Sequence, residues 1–216
     1  TRGRERSRSL NNIVAESKRL YDDGVRDIWL LGQNVNSYRF GDNDFADLLR
    51  EVAAEVPYMR IRYTTSHPYD LSMKLLETMA EHKNICNYIH LPLQSGSDKI
   101  LKAMNRLYSV EQYLSVMRKS REMMPDIGLS TDIISCFPGE TEDDHKMTMD
   151  VISEVRYDGA YTFVYSPREN TKAIYLKDDI DQETKTRRLD EIITLQRKIS
   201  VEINKDLLGK TKQDIK

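Results

Sequence analysis

The sequence predicts an α/β fold made of parallel strand–helix–strand units. Short apolar runs alternate with helical patterns along the whole chain, and five strands are separated by helices in repeats of about 30–40 residues. A length of 216 residues is sufficient for a substantial core in one large domain. Successive right-handed crossovers give either an open doubly wound sheet or part of a (β/α) barrel, and periodicity does not distinguish the two. Both architectures place function at the carboxyl ends of the strands.

Amphipathic helices and apolar strands alternate through the first part of the chain. Apolar residues at helical spacing mark each helix, and short apolar or alternating runs mark each strand. In order, we expect a helix carrying Leu10, Ile13, Val14, Leu20 and Tyr21, a strand at Ile28–Leu31, a helix carrying Phe45, Leu48, Leu49 and Val52, the strand RIRYTT, a helix carrying Leu71, Leu75, Leu76 and Met79, and the strand NYIHL.

Two helices in the second part of the chain begin with the sequence signature of a capping box. Ser109 with Gln112, and Thr141 with Asp144, have the three-residue spacing of this signature. The expected elements are a short helix near Asp98–Met104, a helix opened by Ser109, the strand GLSTDIIS, a helix carrying Val151 and Ile152, the strand AYTFVY, and a long helix from about Gln182 to Leu208.

Composition and charge favour a cytoplasmic protein that does not enter a membrane. Hydrophobic residues make up 39% of the sequence and charged residues 31%, as in globular proteins. No stretch approaches the roughly 18 apolar residues of a membrane span, and the start TRGRERSR is too polar for a signal peptide. The net charge of −2 lacks the basic excess typical of nucleic-acid binding, so other parts would have to help hold an RNA substrate.

The cysteine content and the chain ends give two further expectations. The two cysteines, Cys86 and Cys136, exclude a disulfide framework and, by their spacing, a CxxC-type metal site within this chain. We expect both to be small buried residues on strands. The chain starts at Thr1 and ends in the polar segment KTKQDIK, so we expect a piece of a longer protein.

Polar residues follow every predicted strand. The segments are GQNVNSY, TTSHP, HLPLQSGSD, STD followed by CFPGETEDD, and YSPREN. Local interpretations exist for most of them. These are a turn at Gly32, Gln33 and Asn34, structural roles for His67 and His90, caps of the helix at Asp98 from Gln94, Ser95 and Ser97, and a turn at Pro138 and Gly139.

Asp132 and Arg106 fit a purely structural role less well. An acid between Thr131 and Ile133 would face the interior and need partners, and Arg106 is either solvated or reaches a carboxylate. Because the five strand ends converge on one rim in this fold class, they would assemble amides, hydroxyls, an acid and an arginine. Such a rim suits a polar, multifunctional cofactor.

Taken together, the motifs resemble one enzyme family. LLGQNVNSY, RIRYTTSHP, HLPLQSGSD, KAMNR, TDIISCFPGETEDD and YSPR, in this order and at these distances, are similar to the radical-SAM methylthiotransferases, and most to their tRNA-modifying branch. The resemblance spans about Thr1–Leu208 and implies a partial (β/α) TIM-like barrel of the radical-SAM type. Residues 1–208 would form this core, incomplete at its N-terminal end, and residues 209–216 would begin a linker to an absent C-terminal TRAM domain.

The resemblance also implies S-adenosylmethionine and, in the intact family member, two [4Fe–4S] clusters. A CxxxCxxC loop holds one cluster in the family, and thiolates suit such clusters. That loop would end a few residues upstream of Thr1, and the second cluster belongs to an absent amino-terminal domain, so no cluster ligand lies in this chain. We therefore expect the chain alone to be inactive. The implied partners are a tRNA anticodon loop, held mainly by absent domains, and a reductant protein such as a flavodoxin or ferredoxin.

Eight residues match cofactor-binding positions of the family. By resemblance, they are Gln33 and Asn34 at the methionine amino group, Gln94, Ser95 and Asp132 at the methionine or ribose, Arg106 at the methionine carboxylate, and Tyr165 and Ser166 near the adenosine or substrate. The chain departs from many relatives at Glu169 and Asn170, where they have Pro-Gly, which weakens any geometry inferred for that loop.

The implied reaction adds a methylthio group to C2 of N6-isopentenyladenosine next to the tRNA anticodon. The nucleotide would have to leave its stack to reach the barrel. Two alternatives stay open: the same chemistry on a ribosomal protein or on threonylcarbamoyl-adenosine, and a non-catalytic α/β module that binds a nucleotide. A sugar-phosphate barrel enzyme is disfavoured because no phosphate-binding glycine loop follows AYTFVY.

Overall fold

The computed structural model describes residues 6–64, 67–167 and 175–210. These residues fold as two compact units. The first contains the described residues up to Ile89 together with Ser120–Ile127, and the second contains His90–Lys119 and the described residues from Gly128 onward. Within the described ranges, none of the helices combines the length and the apolarity of a membrane span.

Helices alternate with parallel strands in the first unit. Its elements are α1 (Leu10–Asp22), β1 (Asp27–Leu30), β2 (Arg39–Phe40), β3 (Asn43–Asp44), α2 (Phe45–Glu55), β4 (Arg60–Tyr63) and α3 (Met73–Glu81), with single-turn 3-10 helices at Val35–Ser37 and Pro68–Asp70. β1 and β4 pair in parallel, with Ile28 opposite Ile61. Both isoleucines are buried, so this pair forms part of the core of the unit.

The second unit is built on a three-stranded parallel arrangement. The remaining elements are β5 (Tyr88–His90), α4 (Asp98–Ala103), α5 (Val110–Met123), β6 (Gly128–Ser135), α6 (Glu142–Val155), β7 (Gly159–Val164) and α7 (Gln182–Asp206). The boundary between the units falls within β5, before His90, and within α5, after Lys119. The strand order is β5-β6-β7, and β6 and β7 pair in parallel from Ser130 opposite Gly159 to Ser135 opposite Val164.

The predicted α/β class and the order of its main elements are confirmed. Strand β6 has the predicted bounds, and both predicted capping boxes form, since Ser109 and Gln112 exchange hydrogen bonds, as do Thr141 and Asp144. The antiparallel hairpin of β2 and β3 was not predicted. The ends of the segments RIRYTT and YSPREN and the segment KTKQDIK include residues outside the described ranges.

Alternation along β6 divides its side chains between two faces. Leu129, Thr131 and Ile133 are at most 1% exposed and belong to the core. On this side the Tyr113 hydroxyl donates to the carbonyl oxygen of Leu91 at 2.9 Å. Burial raises the pKa of the Tyr113 hydroxyl far above its usual range, so the group stays protonated and keeps this hydrogen bond.

Asp144 joins the starts of α4 and α6. Its carboxylate accepts hydrogen bonds from the Ser97 hydroxyl at 2.6 Å and from the Lys99 ammonium at 2.7 Å. It also accepts from the backbone N–H and the hydroxyl of Thr141, at 2.8 and 2.7 Å. Burial alone would raise the pKa of Asp144, but these donors outweigh burial and hold the pKa well below its usual range.

Gly96 lies directly against the backbone of α6. Its N–H donates to the Thr148 hydroxyl at 2.9 Å, and a Cβ at this position would lie 2.5 Å from the Thr148 Cα and 2.6 Å from the carbonyl oxygen of Met147. Because the obstructing atoms belong to a helix backbone, they have little freedom to move. The segment QSGSD therefore requires glycine for close packing rather than for a turn.

The first prediction concerns this close packing. We expect Gly96→Ala to destabilise the protein by about 1–3 kcal/mol, the usual cost of overpacking. The matched control is Gly159→Ala, because a Cβ at Gly159 would meet no atom within 4 Å. Urea unfolding of both variants measures the difference. Equal unfolding midpoints would show that α6 can shift away from residue 96.

The second prediction concerns the Asp144 carboxylate. We expect Asp144→Asn to lower the free energy of unfolding by about 2 kcal/mol near neutral pH, because several donors lose a charged acceptor. A pKa held below its ordinary value of 3.8 stabilises the fold above that pH, and this stabilisation is lost as the pH falls below it. The difference between wild type and variant should therefore shrink in acid.

Urea unfolding between about pH 7 and pH 3 tests this expectation. The matched control is Asp143→Asn, since Asp143 is exposed in the same first turn of α6. The control should change the free energy of unfolding by less than about 1 kcal/mol. A difference for Asp144→Asn that stays constant across this pH range would contradict the assignment.

Candidate functional site

Asp132 lies on the face of β6 opposite to the core. Its side chain is 30% exposed, whereas Thr131 and Ile133 are fully buried. Asp132 is therefore only partly buried and not in the core, because strand alternation places its two neighbours there, but it does have a partner, as expected. The partner of Asp132 is His90, whose Nε2 lies 3.4 Å from Oδ1 of the carboxylate.

His90 connects Asp132 to two further side chains. Its Nδ1 lies 2.8 Å from the Ser130 hydroxyl, and its ring meets the Tyr161 ring edge-on at 5.9 Å between centroids. Strands β5, β6 and β7 thus contribute to one surface. We call this surface the Asp132 face, and it consists of His90, Ser130, Asp132, Ile134, Tyr161 and Phe163.

Gln94 and Ser95 lie beside the carboxyl-terminal half of β6. The Gln94 N–H donates to the carbonyl oxygen of Asp132 at 2.8 Å, and the Gln94 carbonyl oxygen accepts from the Ile134 N–H at 2.9 Å. Gln94 has a left-handed backbone conformation, with φ of 68°, which is uncommon for a residue other than glycine. Both Gln94 and Ser95 are buried. The backbones of Gln94 and Asp132 are therefore adjacent, and the cofactor-binding role of the two side chains stays a prediction.

Ser97 does not cap α4 with its side chain. It occupies the N-cap position, but its hydroxyl makes no cap hydrogen bond and donates to Asp144 instead. The Ser95 hydroxyl accepts the Ser97 N–H at 3.2 Å. The predicted cap of α4 is therefore wrong for Ser97, because its side chain is directed at Asp144 and its oxygen accepts no N–H of the helix.

Arg106 lies just after α4 and has an unsatisfied donor. Its backbone N–H closes the end of the helix on the carbonyl oxygen of Leu101 at 2.9 Å. Its Nε is buried, and among the described residues it has no hydrogen-bond partner. A buried guanidinium nitrogen without a partner costs free energy, so the site is suited to an anionic ligand.

The loop after β6 is held by a buried ion pair that the sequence did not reveal. Cys136 has φ of 61°, and its N–H donates to Glu140 Oε1 at 3.1 Å. Glu140 in turn pairs with Arg188 of α7 at 3.0 Å, and both side chains are at most 6% exposed. Burial raises the pKa of Glu140. In sequence, Arg188 is one of many charged residues on a polar helix, so no local signal identifies it.

Tyr165 and Ser166 follow β7 at its carboxyl end. The Tyr165 N–H donates to the Ser135 carbonyl oxygen at 2.8 Å, and its ring packs edge-on against Phe137 at 4.9 Å. Ser166 is exposed. Glu169 and Asn170, where the loop departs from the family pattern, lie outside the described residues.

Gln33 and Asn34 belong to the first unit, after β1. Asn34 Nδ2 donates to Asp70 Oδ2 at 2.6 Å, while Asn34 Oδ1 is buried without a partner among the described residues. Gln33 is exposed. Both line a pocket of about 500 Å³ within this unit, next to Trp29 and Tyr38.

His67 has the structural role expected of it, since its Nδ1 accepts the Tyr69 N–H at the start of a 3-10 turn.

The two cysteines are free thiols in separate units. Cys86 is half-buried in the first unit, Cys136 is fully buried in the second, and burial raises the pKa of both thiols. Both lie next to strands, so the expectation that they lie on strands is wrong.

Within the described ranges, no group of three or more histidine, cysteine or acidic side chains could hold a metal ion.

The chain is similar to curated proteins over almost its whole length. It is 50% identical over 215 residues to the tRNA-2-methylthio-N(6)-dimethylallyladenosine synthase of Azobacteroides pseudotrichonymphae, covering 98% of this chain and 48% of that protein. The enzyme of the same name from Alkaliphilus oremlandii is 49% identical, with 97% and 45% covered. The chain thus spans about half the length of the curated relatives it matches.

Solved structures share the fold at low sequence identity. Coproporphyrinogen III oxidase from Escherichia coli, a radical SAM enzyme, has a TM-score of 0.65 at 16% identity and matches 88% of this chain and 44% of its own. The radical S-adenosylmethionine methyltransferase TsrM from Kitasatospora setae, solved with cobalamin and a [4Fe–4S] cluster, has a TM-score of 0.59 at 17% identity, with 73% and 31% covered. These likenesses confirm the expected radical-SAM type of α/β fold. Since the family profile of the Radical SAM superfamily matches residues 1–152, well over half of the sequence, the chain belongs to that superfamily.

Proposed function

We propose that residues 1–208 are the radical-SAM core of a tRNA methylthiotransferase that modifies C2 of N6-isopentenyladenosine beside the anticodon. The observation that carries the proposal is the near-50% identity, along almost the entire chain, to proteins bearing this activity in their names. The motifs at the strand ends support it, because they occupy the part of an α/β fold where ligands bind.

In the second unit, Arg106 Nε is a buried donor without a partner among the described residues, and it suits the carboxylate of S-adenosylmethionine. In the first unit, Asn34 Oδ1 is a buried acceptor, and the family resemblance alone assigns it to the amino group. Each would gain a charge-assisted hydrogen bond that it lacks among the described residues. Gln33 lines the same pocket as Asn34 and would assist at the amino group.

The strand ends of the second unit would hold the nucleoside part of the cofactor. The Gln94 amide can donate hydrogen bonds to ribose hydroxyls and accept hydrogen bonds from them, and Ser95 follows it directly in the chain. Tyr165 and Ser166 would contact the adenosine, since they follow the last strand at the same end of the sheet. The Glu140–Arg188 pair keeps the neighbouring loop in place.

S-adenosylmethionine with a reduced [4Fe–4S] cluster supplies hydrogen-atom abstraction at an unactivated position. The ligands of that cluster, and those of a second one, would come from segments of the full protein outside this chain. The same holds for most of the tRNA contacts, because the net charge is −2. We further propose a cytoplasmic location and a flavodoxin or ferredoxin as electron donor.

The third prediction tests the reaction class. Iron, sulfide and reductive cleavage of S-adenosylmethionine are measured anaerobically on this chain and on a longer protein extended upstream through a CxxxCxxC loop. We expect only the extended protein to hold iron and to release 5′-deoxyadenosine. An extended protein that holds no cluster yet binds a nucleotide would favour the binding module. Nucleoside analysis of a deletion strain distinguishes tRNA from a ribosomal protein as substrate.

The fourth prediction tests the role of Arg106 by binding alone. S-adenosylhomocysteine retains the amino and carboxylate groups of the cofactor, and its affinity is measured by calorimetry. We expect Arg106→Ala to weaken binding by about ten-fold or more, the usual worth of a charge-assisted hydrogen bond. The control is Arg118→Ala, because Arg118 is an exposed residue that pairs with Glu111 and Glu154. Equal losses in both variants would refute a specific role for Arg106.

A further inference from the structure

Strand β7 exposes two aromatic rings on the Asp132 face. Tyr161 is 61% exposed and Phe163 is 55% exposed, although strands usually bury such side chains. Tyr161 lies opposite Asp132, and Phe163 lies opposite Ile134, so the two rings project from the same face of the sheet. Exposed aromatic residues side by side on one face are a recognition surface rather than isolated surface residues.

The spacing of the rings suits planar ligands. Residues two apart on one face of a strand are about 6.6 Å from each other, so each ring offers its own stacking surface. Aromatic side chains on the open face of a sheet are a recurrent way of stacking unpaired RNA bases. Tyr161 is also held laterally, because its ring meets His90 edge-on.

The polar members of the Asp132 face indicate which part of a nucleotide is bound. None of its six residues is a lysine or arginine, so these residues offer no permanently charged cation for a phosphate. The Asp132 carboxylate accepts hydrogen bonds and matches a ring with an exocyclic N–H, such as adenine. The chemistry therefore fits the base of a nucleotide rather than its backbone.

We propose that Tyr161 and Phe163 stack the target adenine of the RNA substrate and that Asp132, oriented by His90, accepts a hydrogen bond from the exocyclic nitrogen of that base. This assignment rests on the proposed function for the identity of the RNA. The adenine of S-adenosylmethionine has the same chemistry. We assign the RNA base to these rings because Tyr161 lies well before Tyr165, where the adenosine of the cofactor is placed at the strand end.

The fifth prediction is tested by RNA binding, without any turnover. A fluorescently labelled RNA hairpin with one unpaired loop adenosine is titrated with this chain at low ionic strength, beside the same hairpin with an abasic site at that position. We expect the adenosine hairpin to bind more tightly. The double variant Tyr161→Ala/Phe163→Ala should weaken its binding by about ten-fold or more and leave the abasic hairpin unaffected.

Control variants separate stacking from folding. Tyr161→Phe and Phe163→Tyr retain the rings and should bind RNA as wild type. Tyr58→Ala, which removes an aromatic side chain that is 80% exposed and lies outside the Asp132 face, should also bind as wild type. Equal affinity for the two hairpins, no binding of either, or an unchanged double variant would overturn the proposal. So would a double variant that loses S-adenosylhomocysteine instead, because the rings would then hold the adenine of the cofactor. These binding results do not depend on a bound cluster. The proposed function is tested separately, by the measurements of iron, sulfide and cofactor cleavage.

Discussion

The carboxylate of Asp144 is the interaction on which the strand-end loops of the second unit depend. It accepts from Ser97 at the start of α4 and from Thr141 at the start of α6, so one charge fixes both helix starts. This places Gly96 against the backbone of α6, with no room for a side chain. Because Gln94 is only two residues away, its position beside β6 is determined by the same contact. The position of Gln94 is thus a consequence of helix packing.

A second buried charge pair has a similar effect on the loop after β6. Glu140 accepts the N–H of Cys136 in its left-handed conformation, and Arg188 compensates the charge of Glu140. Buried ion pairs add little net stability but strongly favour one arrangement over others. In contrast, Arg106 Nε and Asn34 Oδ1 are buried without partners among the described residues. Each unit therefore contains a buried polar atom that its own described residues leave unsatisfied, in contrast to the satisfied Glu140–Arg188 pair.

Patterns that depend on neighbouring residues could be predicted from the sequence, and those that depend on packing could not. Periodicity identified β6 and the capping residues identified the start of α6, since both signals are local. The hairpin of β2 and β3 has two-residue strands, which are too short to show alternation. Asp132 was assigned to the wrong face because its buried neighbours suggested the core. The Glu140–Arg188 pair joins distant segments, so only the folded chain reveals it.

The composition of the Asp132 face separates base recognition from phosphate binding. Stacking on Tyr161 and Phe163 and hydrogen bonding to Asp132 involve no phosphate, so they release no counterions. RNA binding by this face should therefore depend little on salt, in agreement with a net charge of −2. If the proposed function holds, the salt-dependent part of tRNA affinity would come from segments outside this chain. On the proposed function, this chain discriminates the base, while other segments deliver it.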